Sequence, residues 1–220
     1  KGGIVFTGIV ENVGELLELS SRGHGFHIKV KTPEAFAVKD RVKLGDSIAC
    51  NGVCLTATYI SSDGFEADVS SETVACTAFK NYRRGQKLNL ELACTPTTHL
   101  GGHIVQGHVD GIGLVVERRN IDDAVDLIIK VPNDLLCYIA PKGSIAVDGV
   151  SLTVNGIDKD LMRLTLIPHT QEAVNFSYWI EGSEVNLEAD VLARYLERLM
   201  TSKSNSLELT YKKLLENGFV

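Results

Sequence analysis

Short apolar runs separated by polar or glycine-rich turns dominate the chain. In the first half they fall at residues 6–10, 27–30, 53–60, 65–69 and 88–92. In the second half they fall at 104–109, 125–131, 144–147, 151–157, 161–167 and 184–189. Runs this short, bounded by turn residues, read as strands, whereas an amphipathic helix would repeat its apolar positions every three or four residues. The spacing predicts an all-β chain with about six strands per half, and a small closed barrel suits that count because it leaves no strand edge exposed. Two short helical inserts are expected in each half. One opens near Pro33 or Pro132, where proline fits a first helical turn, and one follows Thr73 or Thr170 as cap. Past the second half Val191, Leu192, Tyr195, Leu196 and Leu199 recur at helical spacing, and a further helix is expected to end at Asn217-Gly218. An apolar helix appended to two complete domains either packs on its own barrel or joins subunits; the second is expected.

The halves are copies of one another. Leu44-Gly45-Asp46-Ser47-Ile48-Ala49-Cys50-Asn51-Gly52-Val53-Cys54-Leu55-Thr56 resembles Pro141-Lys142-Gly143-Ser144-Ile145-Ala146-Val147-Asp148-Gly149-Val150-Ser151-Leu152-Thr153. The same register, 97 residues apart, pairs Glu72-Thr73 with His169-Thr170, Gly85 with Gly182, and Asn89-Leu90-Glu91 with Asn186-Leu187-Glu188. Upstream the offset is 99, pairing Gly8 with Gly107, Gly14 with Gly113 and Pro33 with Pro132, so the copies differ in length by two residues between Pro33 and Gly52. Solenoid and propeller repeats recur at about 20–50 residues, so a repeat of this length is a domain duplication.

Composition narrows the function. The 220 residues are 44% hydrophobic and 23% charged with a net charge of -6, a balance that fits a globular protein and offers no basic stripe for nucleic acid or an anionic membrane. Five cysteines stand without CxxC or paired Cys/His spacing, so no zinc or iron–sulfur site is expected and a reducing compartment is. No apolar run approaches the ~18–20 residues of a membrane span, and no basic segment with a hydrophobic stretch opens the chain. The first residues, Lys1-Gly2-Gly3, read as a tag remnant or a processed end. Neither a GxxxxGK[ST] loop nor a GxGxxG turn is present, which disfavours nucleoside triphosphates and dinucleotide cofactors.

Chemistry is expected where the copies diverge. The register sets Cys54 against Ser151, Ile9 against His108 and Ala93 against Asp190, while Thr56 and Thr153 agree. Each has a plain alternative: Cys54 as buried core and Asp190 as the cap of the following helix. His103 and His108 could invite a metal, but an odd spacing on a strand puts them on opposite faces. His108, Ser151 and Asp190 could compose a hydrolase triad, yet Asp148-Gly149-Val150-Ser151-Leu152 lacks the GxSxG elbow.

Phe6-Thr7-Gly8-Ile9-Val10-Glu11, Asn51-Gly52-Val53-Cys54-Leu55-Thr56, Gly101-Gly102-His103 with Gly107-His108, and Asp148-Gly149-Val150-Ser151-Leu152-Thr153 together resemble the riboflavin synthase family, from about Val5 to the C-terminus. The resemblance implies two tandem six-stranded closed β-barrels, at 1–99 and 100–190, each binding one 6,7-dimethyl-8-ribityllumazine. A C-terminal helical segment at 191–220 would assemble a homotrimer whose active sites form between the N-barrel of one subunit and the C-barrel of another. It implies an N-barrel site of Val5, Phe6, Thr7, Cys54, Leu55 and Thr56 with Asp68, Val69, Ser70, Ser71, Glu72 and Thr73. It implies a C-barrel site of Gly107, His108, Val109, Lys142, Ser151, Leu152, Thr153, Ile167, Pro168, His169 and Thr170. Main-chain groups would bond the pteridine edge and hydroxyls the ribityl chain. The implied reaction is the dismutation of two lumazines to riboflavin and 5-amino-6-ribitylaminouracil, without cofactor or metal. His108, Ser151 and Thr153 would lie around the path of the proton leaving a 7-methyl group. Water or Cys54 would add to C7 of the other ring, and Asp190 would assist.

The resemblance further implies functional association with lumazine synthase, no nucleic-acid or membrane partner, and a cytoplasmic location, or the plastid stroma for a processed plant protein. One departure is that the family opens on a methionine directly before Phe-Thr-Gly, whereas five residues precede Phe6 here. The rivals are a lumazine-binding antenna protein of the same double barrel, which has lost catalytic residues, a flavin reductase barrel, for which this length leaves no nicotinamide domain, and an oligonucleotide-binding barrel, disfavoured by acidity and few aromatics.

Overall fold

The computed structural model describes residues 5–217, and side chains among them except at 202–214. Twelve strands form two closed antiparallel barrels of the same order. The first takes β1 (Asn12–Arg22), β2 (Gly25–Lys31), β3 (Ser47–Cys50), β4 (Val53–Ile60), β5 (Gly64–Val69) and β6 (Lys87–Leu92), arranged β1-β2-β5-β4-β3-β6 and closed by pairing of β6 with β1. The second takes β7 (Gly111–Ile121), β8 (Ala124–Lys130), β9 (Ser144–Val147), β10 (Val150–Asp158), β11 (Leu161–Leu166) and β12 (Glu184–Ala189), arranged β7-β8-β11-β10-β9-β12 and closed by β12 on β7. Inward positions fill one core per barrel. Leu16, Ile28, Phe36, Ile48, Phe65, Phe79 and Leu88 build the first, and Leu127, Ile129, Val154, Met162, Trp179 and Leu187 the second.

The hairpins β3–β4 and β9–β10 turn on Asn51-Gly52 and Asp148-Gly149, all four with φ between 44° and 79°. Positive φ at both central residues is the type I′ turn whose twist matches the flanking strands. The two tips meet: a Cβ on Gly52 would lie 2.7 Å from Gly149 N, and one on Gly149 2.7 Å from Gly52 N. Only glycine permits that approach.

The runs at 6–10 and 104–109 are not strands. They share one isolated antiparallel bridge, Phe6 with Val105, because their apolar side chains serve a third cluster between the barrels, of Phe6, Ala49, Val105 and Ala146. The strands that close the barrels come next, at β1 and β7, and lack a clean alternation. β1 carries a register shift between Leu16 and Glu18, and β7 one between Val115 and Glu117, so the period of two is broken inside each.

Both proline-led inserts are present, as 3-10 turns at Glu34–Phe36 and Asn133–Tyr138. The first copy adds a short helix, α1 (Val38–Arg41), in the interval where the copies differ by two residues. The cap of α2 (Ser71–Cys76) is Ser70 rather than Thr73: the Ser70 hydroxyl accepts from the Thr73 N–H at 3.1 Å. In the second copy α3 (Pro168–Ala173) starts on proline, and Thr170 lies inside it. The two expected C-terminal helices are one, α4 (Val191–Glu216), with Asn217 beyond its end and Gly218 outside the described residues.

Candidate active site

Each barrel turns one outer face toward the other. Pairing across β4, β3 and β6 sets Cys54, Ala49 and Glu91 in one row and Thr56 opposite Ser47 in the next. Across β10, β9 and β12 the matching rows hold Ser151, Ala146 and Glu188, then Thr153 opposite Ser144. Two straps run between these faces, and each touches both barrels. The N-terminal strap is held by Glu91, which accepts from the N–H groups of Thr7 (2.6 Å) and Gly8 (3.0 Å) and from the Thr7 hydroxyl (2.7 Å). Its Gly8 carbonyl then accepts from the N–H of Ser151 at 2.7 Å. The inter-barrel strap is held by Glu188, which accepts from the N–H groups of Gln106 (2.6 Å) and Gly107 (2.9 Å). Its Gly107 carbonyl accepts from the N–H of Cys54 at 2.9 Å.

The straps thus cross between the barrels: Gly8 reaches the C-barrel strand that carries Ser151, and Gly107 reaches the N-barrel strand that carries Cys54. The next residues agree, since Val10 packs on the second core and Val109 on the first. A pairing between barrels leaves no mark on local periodicity.

The two faces differ in chemistry. Half-buried Cys54 has its thiol pushed up, first by burial and also by the Glu188 carboxylate, against a hydrogen bond from Ser47. The side chain of Ser151 bonds through Oγ to Nδ1 of buried His103 at 2.7 Å. Burial holds the His103 imidazole below its usual range, which keeps it neutral, and the Asp190 carboxylate pulls the other way. Its Nε2 is buried with no protein partner among the described residues. Asp190 also caps α4, its Oδ1 accepting from the Leu192 N–H at 3.0 Å, so the cap reading holds. Glu91 and Glu188, each 5% exposed, are both pushed up to about 7, first by burial, while the strap N–H groups act in the opposite direction.

His103 and the two glutamates are what sequence reasoning missed. The glutamates were visible as a matched pair in the repeat. His103 stood in the Gly101-Gly102-His103 motif, but its approach to Ser151 depends on the strap's path. His108, expected beside Ser151, is exposed and lines a small pocket of about 220 Å³ with Gln106, Asp110, Glu188 and Arg194. Neither histidine sits on a strand, which removes the premise of opposite faces. Among the described residues no group of three or more His, Cys, Asp or Glu could hold a metal ion.

The remaining expected residues divide by what they expose. Phe6, Leu55 and Val69 are buried at 0–4% exposure, so a ligand could meet only their main chain. Val5 and Leu152 are half-buried, Thr56 and Thr153 are exposed on the outer faces, and Ser71 and Glu72 are exposed at the start of α2. Asp68 is engaged elsewhere, with Arg22 at 2.9 Å and His27 at 2.7 Å. Lys142 is exposed in the turn before β9 with φ 70°, and Ile167, Pro168 and His169 are exposed at the start of α3.

A cleft of about 1080 Å³ borders the N-barrel face and includes Thr7, Ser47, Thr56, Glu91, Ala93 and Cys94, ample for a drug-sized heterocycle. The repeat-equivalent space on the C-barrel is the 220 Å³ pocket beside His108. It is smaller because α4 begins there: Arg194 pairs with Asp110 and lies 4.7 Å over the Tyr138 ring.

Comparison with known proteins finds the lumazine binding domain twice, at residues 7–93 and 106–190. A riboflavin synthase of Photobacterium phosphoreum is 43% identical over 219 residues, covering 98% of this chain and 100% of that protein. One of Bacillus subtilis (strain 168) is 38% identical over 218 residues, covering 98% and 100%. Among solved structures, LumP complexed with 6,7-dimethyl-8-(1'-D-ribityl) lumazine superposes with a TM-score of 0.76 at 26% identity, covering 84% of this chain and 98% of that one.

Proposed function

We propose, from the premise that the chain belongs to the riboflavin synthase family, that it is an enzyme that dismutates two molecules of 6,7-dimethyl-8-ribityllumazine into riboflavin and 5-amino-6-ribitylaminouracil. The observation that carries this reading is the pair of matched barrel faces with unequal chemistry, a thiol on one and a Ser151–His103 pair near Asp190 on the other. Two like molecules must play unlike parts in a dismutation, and a duplicated chain that keeps its architecture while changing a few reactive side chains answers that need. Identity near 40% over nearly the whole length to riboflavin synthases, against 26% to LumP, favours the enzyme over a binding protein.

On the C-barrel, the neutral His103 imidazole can accept a proton through the Ser151 hydroxyl, so it serves removal of the proton from the 7-methyl group of the donor-activated ring. The carbanion delocalises into the pteridine. On the N-barrel, the Cys54 thiol stays protonated at neutral pH, so water is the better nucleophile for C7 of the second ring. The carbanion attacks the hydrated ring, and the two carbon–nitrogen bonds that hold the four-carbon unit to its first pyrimidine break with protonation of those nitrogens. The added water is released and the stripped ring leaves as the pyrimidine, so two lumazines give the two products with no net water. Holding the two rings face to face supplies much of the rate by orientation. His108, Thr153 and Asp190 border this path as supporting residues, and main-chain groups of Val5–Thr7, Leu55, Thr56, 68–73, Val109, Lys142, Leu152 and 167–170 form the binding edges.

Further parts of the reading are the division at 1–99, 100–190 and 191–220, assembly as a homotrimer, functional association with lumazine synthase, and a cytoplasmic location. No described helix is long and apolar enough to cross a membrane. The exposed row Leu192, Tyr195, Leu196 and Leu199 on α4 supports assembly through that helix. The test is incubation of the purified protein with the lumazine alone, following riboflavin by absorbance and the pyrimidine by chromatography. Equal amounts of both products are expected; lumazine binding without turnover would refute the enzyme.

A further inference from the structure

We propose that Glu11 and Arg41 form the end wall of the N-barrel lumazine site and determine its specificity, admitting a ribityl chain that ends in a hydroxyl and rejecting one that ends in a phosphate. The inference rests on the lumazine reading above and adds to it which part of the substrate the pair meets.

The two copies reach one arrangement by different routes. In the first, Glu11 Oε1 accepts from the Leu92 N–H at 3.0 Å, and Oε2 pairs with the Arg41 guanidinium at 2.7 Å. In the second, Asp110, which the 99-residue register sets against Glu11, accepts from the Ala189 N–H at 2.8 Å through Oδ2 and pairs through Oδ1 with Arg194. Leu92 and Ala189 are equivalent, as are Leu90 and Leu187, whose carbonyls accept from the N–H groups of Glu11 and Asp110 at 2.9 and 2.8 Å. The arginines are not equivalent. Arg41 ends α1, which the first copy alone carries, and Arg194 belongs to α4, beyond the repeat. What the duplication kept is therefore the neutralised carboxylate, not a particular arginine. Each pair lines the cavity beside its own barrel, Glu11 with Arg41 the cleft of about 1080 Å³ and Asp110 with Arg194 the pocket of about 220 Å³.

Register puts the first pair at one end of the cleft. Cys54 lies opposite Ala49, near the Asn51-Gly52 tip, and Thr56 lies opposite Ser47, farther from it. That step of two strand residues spans about 7 Å. Beyond Ser47 the chain turns through residues 43–46, with the Lys43 N–H donating to Asp46 Oδ2 at 2.8 Å, and leads back to Arg41. A ring held at Cys54, with its polyol along the hydroxyls of Thr56 and Ser47, ends at Glu11 and Arg41. A terminal hydroxyl suits this pair, because it donates to the carboxylate and accepts from the guanidinium. A phosphate does not. Arg41 is the only lysine or arginine among the described residues that line the cleft, Glu11 already takes its charge, and Asp46 and Glu91 add further carboxylates. A dianion there meets like charge with no free guanidinium to pair it.

The test uses the full chain with riboflavin and riboflavin 5'-phosphate, each titrated by quenching of flavin fluorescence, and reads the ratio of the two Kd values. Neither Glu11 nor Arg41 lines the C-barrel pocket, so any flavin held there contributes equally to every variant. The unsubstituted protein is expected to bind riboflavin at least tenfold more tightly than its phosphate. Glu11→Gln keeps an acceptor for the Leu92 N–H but turns an amide N–H toward Arg41, and the released guanidinium is expected to shift the ratio about tenfold toward the phosphate. Adding Arg41→Gln is expected to cancel that shift. Arg41→Gln alone leaves Glu11 unpaired and is expected to shift the ratio about threefold the other way; at an exposed position, it also serves should Glu11→Gln fail to fold. A pair that merely clamps the chain would move both affinities together and leave their ratio fixed. An unchanged ratio in Glu11→Gln, a shift that persists in the double variant, or an unsubstituted protein that binds both flavins equally overturns the proposal while leaving riboflavin binding intact. An unsubstituted protein that binds neither flavin overturns the lumazine reading itself, and the proposal with it.

Discussion

The duplication replaced one hydrogen-bonding pair by its chemical complement, and exchanging the pair back tests the reasoning quantitatively. In the first copy Asn51 accepts from Asn89 N at 2.7 Å and donates through Nδ2 to the Tyr82 hydroxyl at 2.8 Å. At the equivalent places in the second copy Asp148 accepts from Asn186 N at 2.8 Å and from the Trp179 indole N–H, also at 2.8 Å. A phenol can accept from an amide; an indole can only donate, so it requires the carboxylate. Asp148→Asn keeps the bond from Asn186 but sets an amide N–H against the indole N–H inside a site where Asp148 is 4% and Trp179 1% exposed. A buried donor left unpaired costs about 1–3 kcal/mol, roughly 4–8 °C in Tm for a chain of this size at the middle of that range. Trp179→Tyr alone loses packing, but its hydroxyl can still donate to the carboxylate. Combined, the two changes recreate the Asn51–Tyr82 arrangement, so the double variant is expected to be more stable than the sum of the singles by at least about 1 kcal/mol. Urea unfolding of the four proteins at pH 8, where Asp148 is ionised, measures this, and additivity within about 0.5 kcal/mol would refute the complementarity argument. The pH dependence is a second check. Asp148 is pushed up to about 7 by burial, so the folded state holds a proton that the unfolded state releases near pH 4. Its contribution is fully present below about pH 4 and is lost as pH rises through 7. Asp148→Asn should flatten, without abolishing, the loss of stability over that window, because Glu91 and Glu188 are also pushed up to about 7.

Four other outcomes are expected. Gly107→Ala should reduce turnover at least tenfold while the fold persists, since its Cβ would lie 2.6 Å from Cys54 Cβ; Gly23→Ala, with φ +61° and open space around it, should cost only about 1 kcal/mol of stability and leave turnover unchanged. His103→Gln and Ser151→Ala should each lower kcat more than tenfold, and the double variant should be no worse than the poorer single, as residues acting as a unit behave; full additivity in single-turnover measurements would separate them. Cys54→Ser should keep turnover within about tenfold, because a thiol raised by burial is not a thiolate at neutral pH, and loss beyond a thousandfold would restore the thiol as the nucleophile. Leu196→Asp with Leu199→Asp, on the exposed face of α4, should shift the protein to monomer in sedimentation; an unchanged mass would take assembly away from this helix.

Strand content, duplication and the hairpins were legible because each rests on local sequence. Asn51-Gly52 and Asp148-Gly149 announce type I′ turns, and the 97-residue register ties them into equivalent places. What was hidden depends on pairs far apart in the chain. Asn12–Arg22 and Gly111–Ile121 close the barrels through bulged strands whose alternation is interrupted. Residues 6–10 look like a strand, but Phe6 is apolar in order to fill the space between barrels. The candidate site shows the same division. Cys54, Ser151 and Asp190 could be found by comparing the copies. His103 could not, because its approach to Ser151 requires the strap to cross from one barrel to the other, as its N–H bond to Thr7 O at 3.1 Å records.

The copies also diverge in what surrounds their outer faces, and this follows from where the chain goes next. After β6 it continues as an open linker, bordering a cleft of about 1080 Å³; after β12 it enters α4 within one residue of Asp190, and Arg194 of that helix closes on Asp110. One barrel face is therefore open within a single chain and the other is constricted by its own helix. For two identical substrates to be bound differently, the sites need not differ in their pteridine-binding strands; it is sufficient that the flanking chain differs. Asp190 joins the two effects, capping α4 through Leu192 while acting on the imidazole bonded to Ser151. The helix that narrows the C-barrel face thus starts on a carboxylate that also acts electrostatically on the imidazole of that face.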